Sequence, residues 1–180
     1  STAAPGEKLD LADEAIRRDV DFVDVALMGM VPGHGLATPA LAAGPGANRF
    51  AELVNPLGAR IEPITGPPGT ATAKKLLRSV AMKGIASVLI EAVRAGAAAD
   101  DLDWLWANLS REFHGADEAW ARRLVEGSGV HARRRLGEME AAVGLLEALE
   151  VSPTMTRSTV ATLRDLLDGA DIPELPPSPA

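Results

Sequence analysis

Lys74, Lys75, Arg78 and Ser79 follow closely on a Gly66-Pro-Pro-Gly69 break. Such a cluster interrupts whatever precedes it, and the next residues have the composition of a helix. Lys75 and Ser79 are four apart and would share one helix face. A lysine near a helix N-terminus meets the positive end of the macrodipole, and Lys74 and Arg78 add like charge. All three effects disfavour the ammonium form, which is what a general acid–base at neutral pH requires. Spacing alone still favours the plainer alternative, a solvated lysine on an amphipathic turn.

Other chemistry is poorly supported. Gly33-His-Gly35 and Gly44-Pro-Gly46 each lack the third glycine of a dinucleotide fingerprint, and Gly66 to Lys75 lacks the Gly-Lys-Ser/Thr ending of a P-loop. The chain has no cysteine, which excludes disulfides and thiolate metal sites. His34, His114 and His131 are far apart and show no metal-ligand spacing, so no metal is expected; His34 and His114 read as solvated. Arg133 to Arg135 reads as a solvated face, with an anion site as the alternative. A net charge of −7 argues against a nucleic-acid partner. The most apolar segment, Gly84 to Ile90, is short and flanked by Arg78, Lys83, Glu91 and Arg94, so no membrane span is expected. A soluble, cytoplasmic protein is the expectation.

The elements that would position Lys75 follow from patterning. Residues 7–19 form an amphipathic helix, with Pro5 in its first turn and Thr2 as a cap. Residues 21–27 and 39–43 form strands, with a loop at Gly29 to Gly35 between them. Ala47 to Leu57 forms a helix ended by Gly58. Residues 59–64 form a third strand, placed at an edge or near its end by Pro63. Three short strands make a poor sheet alone, so either they pair with strands elsewhere or the sheet is incomplete in this chain. The opening Ser1-Thr2 reads as a start within a fold.

Residues 73–96 form one helix, about 40 Å long at 1.5 Å per residue, with Thr70 or Thr72 as its cap. Leu76, Leu77, Val80, Met82, Ile85, Val88, Leu89, Ile90 and Val93 occupy more than one face, the pattern of a buried helix. It is expected to be the axis of a helical layer or of a homodimer. Further helices are expected at 99–113, 116–125, 130–149 and 154–167. In the first, Leu102, Trp104, Leu105, Trp106 and Leu109 supply core bulk, one tryptophan facing inward. Gly127-Ser-Gly129 is a break, and residues 171–180 are a frayed tail. The fold class is α/β followed by all-α: a partial Rossmann-like sheet over 1–65, a helical domain over 66–170 and a flexible tail over 171–180.

Four features recur in one order: Ser1-Thr-Ala-Ala-Pro5 before a helix, Phe22-Val-Asp-Val-Ala-Leu-Met-Gly29, Gly69-Thr-Ala71 leading to Lys75, and Ser79. That order resembles the β-hydroxyacid dehydrogenases, the family of 6-phosphogluconate and 3-hydroxyisobutyrate dehydrogenases. Ala132-Arg-Arg-Arg-Leu-Gly-Glu-Met139 and Pro153-Thr-Met155 are similar to the helical C-terminal domain of a less characterised branch. The resemblance implies an NAD(P)-dependent oxidoreductase in which Lys75 is the general acid–base. It implies NAD or NADP as cofactor, with Ser1, Thr2 and Gly69 beside it. It implies substrate contacts from Ser79, from Gly29 and from Met28 in the same loop, and from His131 and Arg134 across a homodimer. The substrate would be a small hydroxycarboxylate. Met28 and Met30 stand where the family has a serine and a glycine, Ala71 replaces a second glycine, and Ser79 an asparagine. The two methionines make the substrate loop more apolar. The dinucleotide fingerprint of the family lies upstream of the Ser-Thr-x-x-Pro loop. Imine reductases share the architecture but usually replace the lysine. A non-catalytic helical dimerisation module is the other alternative.

Overall fold

The computed structural model describes residues 3–178. It divides into two compact units, residues 1–83 and 84–180, and the division falls within one long helix.

The first unit begins with helix α1 (Pro5–Arg17), then strands β1 (Asp24–Leu27) and β2 (Pro39–Ala43), helix α2 (Ala47–Val54) and strand β3 (Arg60–Pro63). A single 3-10 turn precedes β2, and another follows α2 and ends at Gly58, whose φ of 95° suits glycine. The expected helix–strand–strand–helix–strand order is present. The first strand starts at Asp24, three residues later than its apolar composition suggests. β2 is central: it pairs antiparallel with β1 and parallel with β3. Asp24 lies opposite Ala43 and Ala26 opposite Leu41, so these four share one face. Ala26 and Ala43 pack with Ala71 there, with Leu41 and Ile64 alongside. Alanines at all three central positions let a helix lie close to the strands. β3 is an edge, and its outer side is blocked. The Asn55 amide donates to the Ile61 carbonyl and accepts from the Ile61 N–H, filling the positions a further strand would use there.

Helix α3 runs from Thr70 to Ala98. It passes through Gly96, where an added Cβ would sit 2.7 Å from Leu105 Cδ2; the glycine serves close packing rather than a helix end. The expected burial on all sides is not found. Leu77 is 72% and Val80 75% exposed, and Leu76, Met82, Ile85, Val88 and Ile90 are also exposed.

The second unit contains the C-terminal part of α3 with α4 (Leu102–His114), α5 (Glu118–Val130), α6 (Ala132–Ala148) and α7 (Thr154–Leu167). Its buried core includes Ala132, Leu146, Val160 and Leu163. Three expectations are corrected here. Trp104 and Trp106 are 66% and 57% exposed, because Leu105 and Leu109 occupy the inward stripe and each tryptophan lies about 100° to one side of it. Gly127-Ser-Gly129 is not a break: α5 continues to Val130, and the Ser128 hydroxyl bonds back to the Leu124 carbonyl. Residues 171–178 have no regular structure but are docked. Arg122 donates to the Pro176 carbonyl, Ser178 donates to Glu118, and Ile172 lies against Gly129.

Candidate active site

The first turn of α3 is fixed from outside the helix. Neither Thr70 nor Thr72 caps it by accepting from an orphan amide. Thr70 Oγ1 donates to the Pro67 carbonyl. The N–H groups of Gly69 and Thr72 instead donate to Asp24 Oδ2, both at 3.0 Å, and Thr72 Oγ1 donates to Asp24 Oδ1 at 2.7 Å. Asp24 is 0% exposed, and its counter-charge is Lys8 of α1, with Nζ 3.4 Å from Oδ1. Burial disfavours the charged carboxylate, but the hydrogen bonds from Thr72 and the Lys8 ammonium outweigh it and hold the Asp24 carboxyl below its ordinary 3.8. One carboxylate thus joins α1, β1 and α3. An aspartate at the start of a strand gave no sign of this role; its only sequence signal is a charge inside an apolar run.

Gly69 is required by the same close approach. Its φ is 97°, and an added Cβ would lie 2.8 Å from the Pro5 carbonyl oxygen. Its amide is committed to Asp24.

Lys75 and Ser79 continue the ridge that begins at Ala71, at successive intervals of four. Ala71 is buried on the sheet; Lys75 and Ser79 are half-buried, while Lys74, Leu76, Leu77 and Arg78 between them are exposed. Among the described residues Lys75 makes no ion pair or hydrogen bond. Met28 is half-buried and Gly29 exposed. Met28 lines a cleft on the sheet with Leu41, Arg60 and Glu62, and its amide donates to Pro39; Lys75 is not on the wall of that cleft. Ser1 and Thr2 lie outside the described residues. His131 is exposed between α5 and α6, and Arg134 is exposed and paired with Glu138.

Glu91 near the far end of α3 is a second residue that sequence reasoning passed over. It is buried, and its carboxylate accepts from the amides of Met155 and Thr156 and from Thr156 Oγ1 at 2.7, 2.8 and 2.6 Å. It therefore caps α7, whose own flanking residue Pro153 offers no side-chain acceptor. Burial opposes the charge, yet the Thr156 hydroxyl and these amides hold the Glu91 carboxyl below its ordinary 4.5.

Residues 97–166 match the family described as a domain of unknown function, DUF1932. This matched stretch lies within the second unit. Among solved structures the chain is similar to a conserved hypothetical protein from Sinorhizobium meliloti 1021, at 29% identity and a TM-score of 0.51 over 90% of this chain and 55% of that one. It is similar to the conserved protein MTH1747, described as structurally similar to 3-hydroxyacid dehydrogenases, at 26% identity and a TM-score of 0.52 over 92% and 62%. An imine reductase from Myxococcus stipitatus in complex with NADP+ overlaps with a TM-score of 0.76 at 14% identity, over 92% of this chain and 65% of that one. A comparison with curated proteins finds no match. The resemblance to hydroxyacid dehydrogenases therefore holds at the level of the fold, a partial sheet followed by helices. The chain spans 55 to 65% of the length of these proteins. No helix among the described residues is long and apolar enough to cross a membrane.

Proposed function

We propose that this chain is the lysine-bearing, helical part of an NAD(P)-dependent oxidoreductase of the β-hydroxyacid dehydrogenase type. The observation that carries the reading is the Ala71–Lys75–Ser79 ridge, one turn beyond the Asp24 clamp. A side chain there starts from a helix turn fixed on the strands rather than from a loop, which is the support an acid–base group needs.

The residues described do not themselves form a dinucleotide cradle. They contain no phosphate-binding glycine loop, and the Gly69 amide is already used. Cofactor binding is therefore assigned to the length of the relatives that this chain does not span. NAD(P)+ supplies the hydride acceptor. The chain's own task is proton handling. Lys75 Nζ, as the free amine, takes the proton from the substrate hydroxyl as its carbon loses hydride, and the ammonium returns the proton in the reverse direction. Ser79 would orient the hydroxyl or a neighbouring polar group, and the loop at Met28 and Gly29 would hold the rest of a small hydroxycarboxylate. The exposed apolar faces of α3 would pair with a second copy of the chain.

A second reading, imine reduction, is favoured by the overlap with the Myxococcus stipitatus enzyme. The two are separated by assaying the full-length natural protein with β-hydroxyacids and with cyclic imines, before and after Lys75→Met. The dehydrogenase reading expects hydroxyacid turnover that falls at least about 100-fold in the variant, in line with acid–base contributions. Imine turnover unaffected by the substitution supports the second reading. Full-length protein that binds neither NADH nor NADPH leaves a non-catalytic module.

A further inference from the structure

Within the second unit, residues of α4, α5 and the start of α6 line an open cleft of about 540 Å³ with apolar, cationic and acidic side chains. Trp120 and Leu124 are among its apolar lining, and Trp120 is braced by a tilted contact with Phe113, ring centroids 5.9 Å apart. Arg123, His131 and Arg135 line it as well. Arg123 has no ion-pair partner among the described residues, whereas Arg122, Arg134, Arg157 and Arg164 are all paired.

The position of Arg135 is built into the helices. Its Nη1 donates to Ser128 Oγ at 2.5 Å and reaches the Leu124 carbonyl at 3.4 Å. These acceptors are neutral, so among the described residues no carboxylate is paired with the half-buried guanidinium, and its Nε–H and Nη2–H donors are uncommitted. Gly127 makes room for it: a Cβ there would meet Nη2 at 3.1 Å. The Gly127-Ser128 pair, which interrupts nothing in α5, thus acts as the seat of an arginine from the next helix.

We propose that this cleft binds a small organic monocarboxylate. The planar fork of a guanidinium matches a carboxylate in two parallel hydrogen bonds, and Arg123 and Arg135 both line the cleft. Trp120 and Leu124 call for an apolar or aromatic body behind the charge. Glu112 and Glu126 also line the cleft. Glu126 is held by Arg122, and Glu112 is uncommitted among the described residues; their charge disfavours a dianion. The site is independent of the role assigned to Lys75.

The test uses the full chain with Trp104→Phe and Trp106→Phe, two exposed positions, leaving Trp120 as the fluorescent reporter. Benzoate is titrated at constant ionic strength against its neutral isostere benzamide. A saturable Trp120 response to benzoate is expected, with none to benzamide over the same range. Arg123→Gln, at an exposed position, should raise the dissociation constant at least about five-fold with helix content unchanged by circular dichroism. The inference is overturned by a linear response to benzoate, by equal responses to both compounds, or by unchanged affinity in Arg123→Gln.

Discussion

Replacing Asp24 by alanine should remove the attachment of α3 to the sheet without touching the apolar contacts of Ala26, Ala43 and Ala71. Two backbone amides and a hydroxyl would lose their acceptor, and Lys8, nearly as buried, would lose its counter-charge. Orphaned buried donors cost about 1–3 kcal/mol each, and breaking a buried ion pair from one side costs about 3–5 kcal/mol. These penalties overlap because one atom set serves both. Lys8 also has a long stem that can carry its ammonium toward water. The expected loss is therefore about 4 kcal/mol, a large part of the total stability of a small unit. All three tryptophans lie in the second unit, so fluorescence is the wrong probe. Native-state hydrogen exchange at the Gly69, Thr72 and Ala73 amides reads the clamp directly, with urea unfolding followed by far-ultraviolet circular dichroism. Lys8→Met made together with Asp24→Ala should recover about 1–3 kcal/mol relative to the sum of the single changes, since no charge is then stranded. The sign of the pH dependence follows from the lowered carboxyl. The contribution of Asp24 is complete above its ordinary 3.8 and is lost as pH falls below that value, through its folded-state value. A loss under about 1 kcal/mol for Asp24→Ala, or a double variant no better than additive, would refute the clamp.

Four further outcomes are expected. Glu91→Gln should weaken the α7 cap by about 1–2 kcal/mol and raise exchange at the Met155 and Thr156 amides; in the wild type the same contribution should fade as pH drops below about 4.5. Gly69→Ala combines a φ of 97° with a 2.8 Å approach to backbone, so it should cost at least about 3 kcal/mol in urea unfolding, against about 1 kcal/mol for an αL glycine in open space. Asp100→Gly should stabilise by about 0.5–1 kcal/mol, because Asp100 ends α3 at φ 57° without an ion pair; thermal unfolding of the pair of proteins measures it. Leu77→Glu with Val80→Glu should leave secondary structure intact and shift the mass seen by sedimentation from dimer to monomer; a wild-type monomer would remove the pairing assigned to α3.

The order of elements along the first unit was legible because its signals are local. Pro39 to Ala43 is bounded by Thr38 and Gly44, and Gly58 marks the end of the helix before β3. Where the chain closes a helix without glycine, the expected ends still fall within two residues of the observed ones. α1, α3 and α6 all end on a left-handed residue that is Asp19, Asp100 or Glu150. Each repeats the paired carbonyl contacts that α7 makes through Gly169; at α3, Asp101 N–H bonds to Gly96 and Asp100 N–H to Ala97. At α5 the expected end does not hold. Two glycines in three residues signal a break, but their use is tertiary: Gly127 admits Arg135 and Gly129 admits Ile172. The tryptophans of α4 misled because size was read as burial, when the phase of Leu105 and Leu109 decides which side turns inward.

Lys75 and its helix could be singled out from the sequence, but the carboxylate that anchors the start of that helix could not. The proposed role of Lys75 depends on a helix start whose acceptor is supplied from 48 residues earlier in the chain, and α7 depends likewise on Glu91 from 64 residues earlier. Neither helix carries a side-chain acceptor of its own where a cap is needed, so neither start is set by its own residues. In both cases a carboxylate that costs free energy to bury is held ionised by the amides it receives. That arrangement fixes the direction as well as the position of the helix, because only an N-terminus presents such donors. An apolar side chain of equal volume at position 24 could fill the space over Ala71 but would leave the first turn of α3 free to rotate. The side chain at position 75 would then have no defined place from which to reach a hydroxyl. If the lysine is the proton carrier, Asp24 is what makes its geometry reproducible from one molecule to the next.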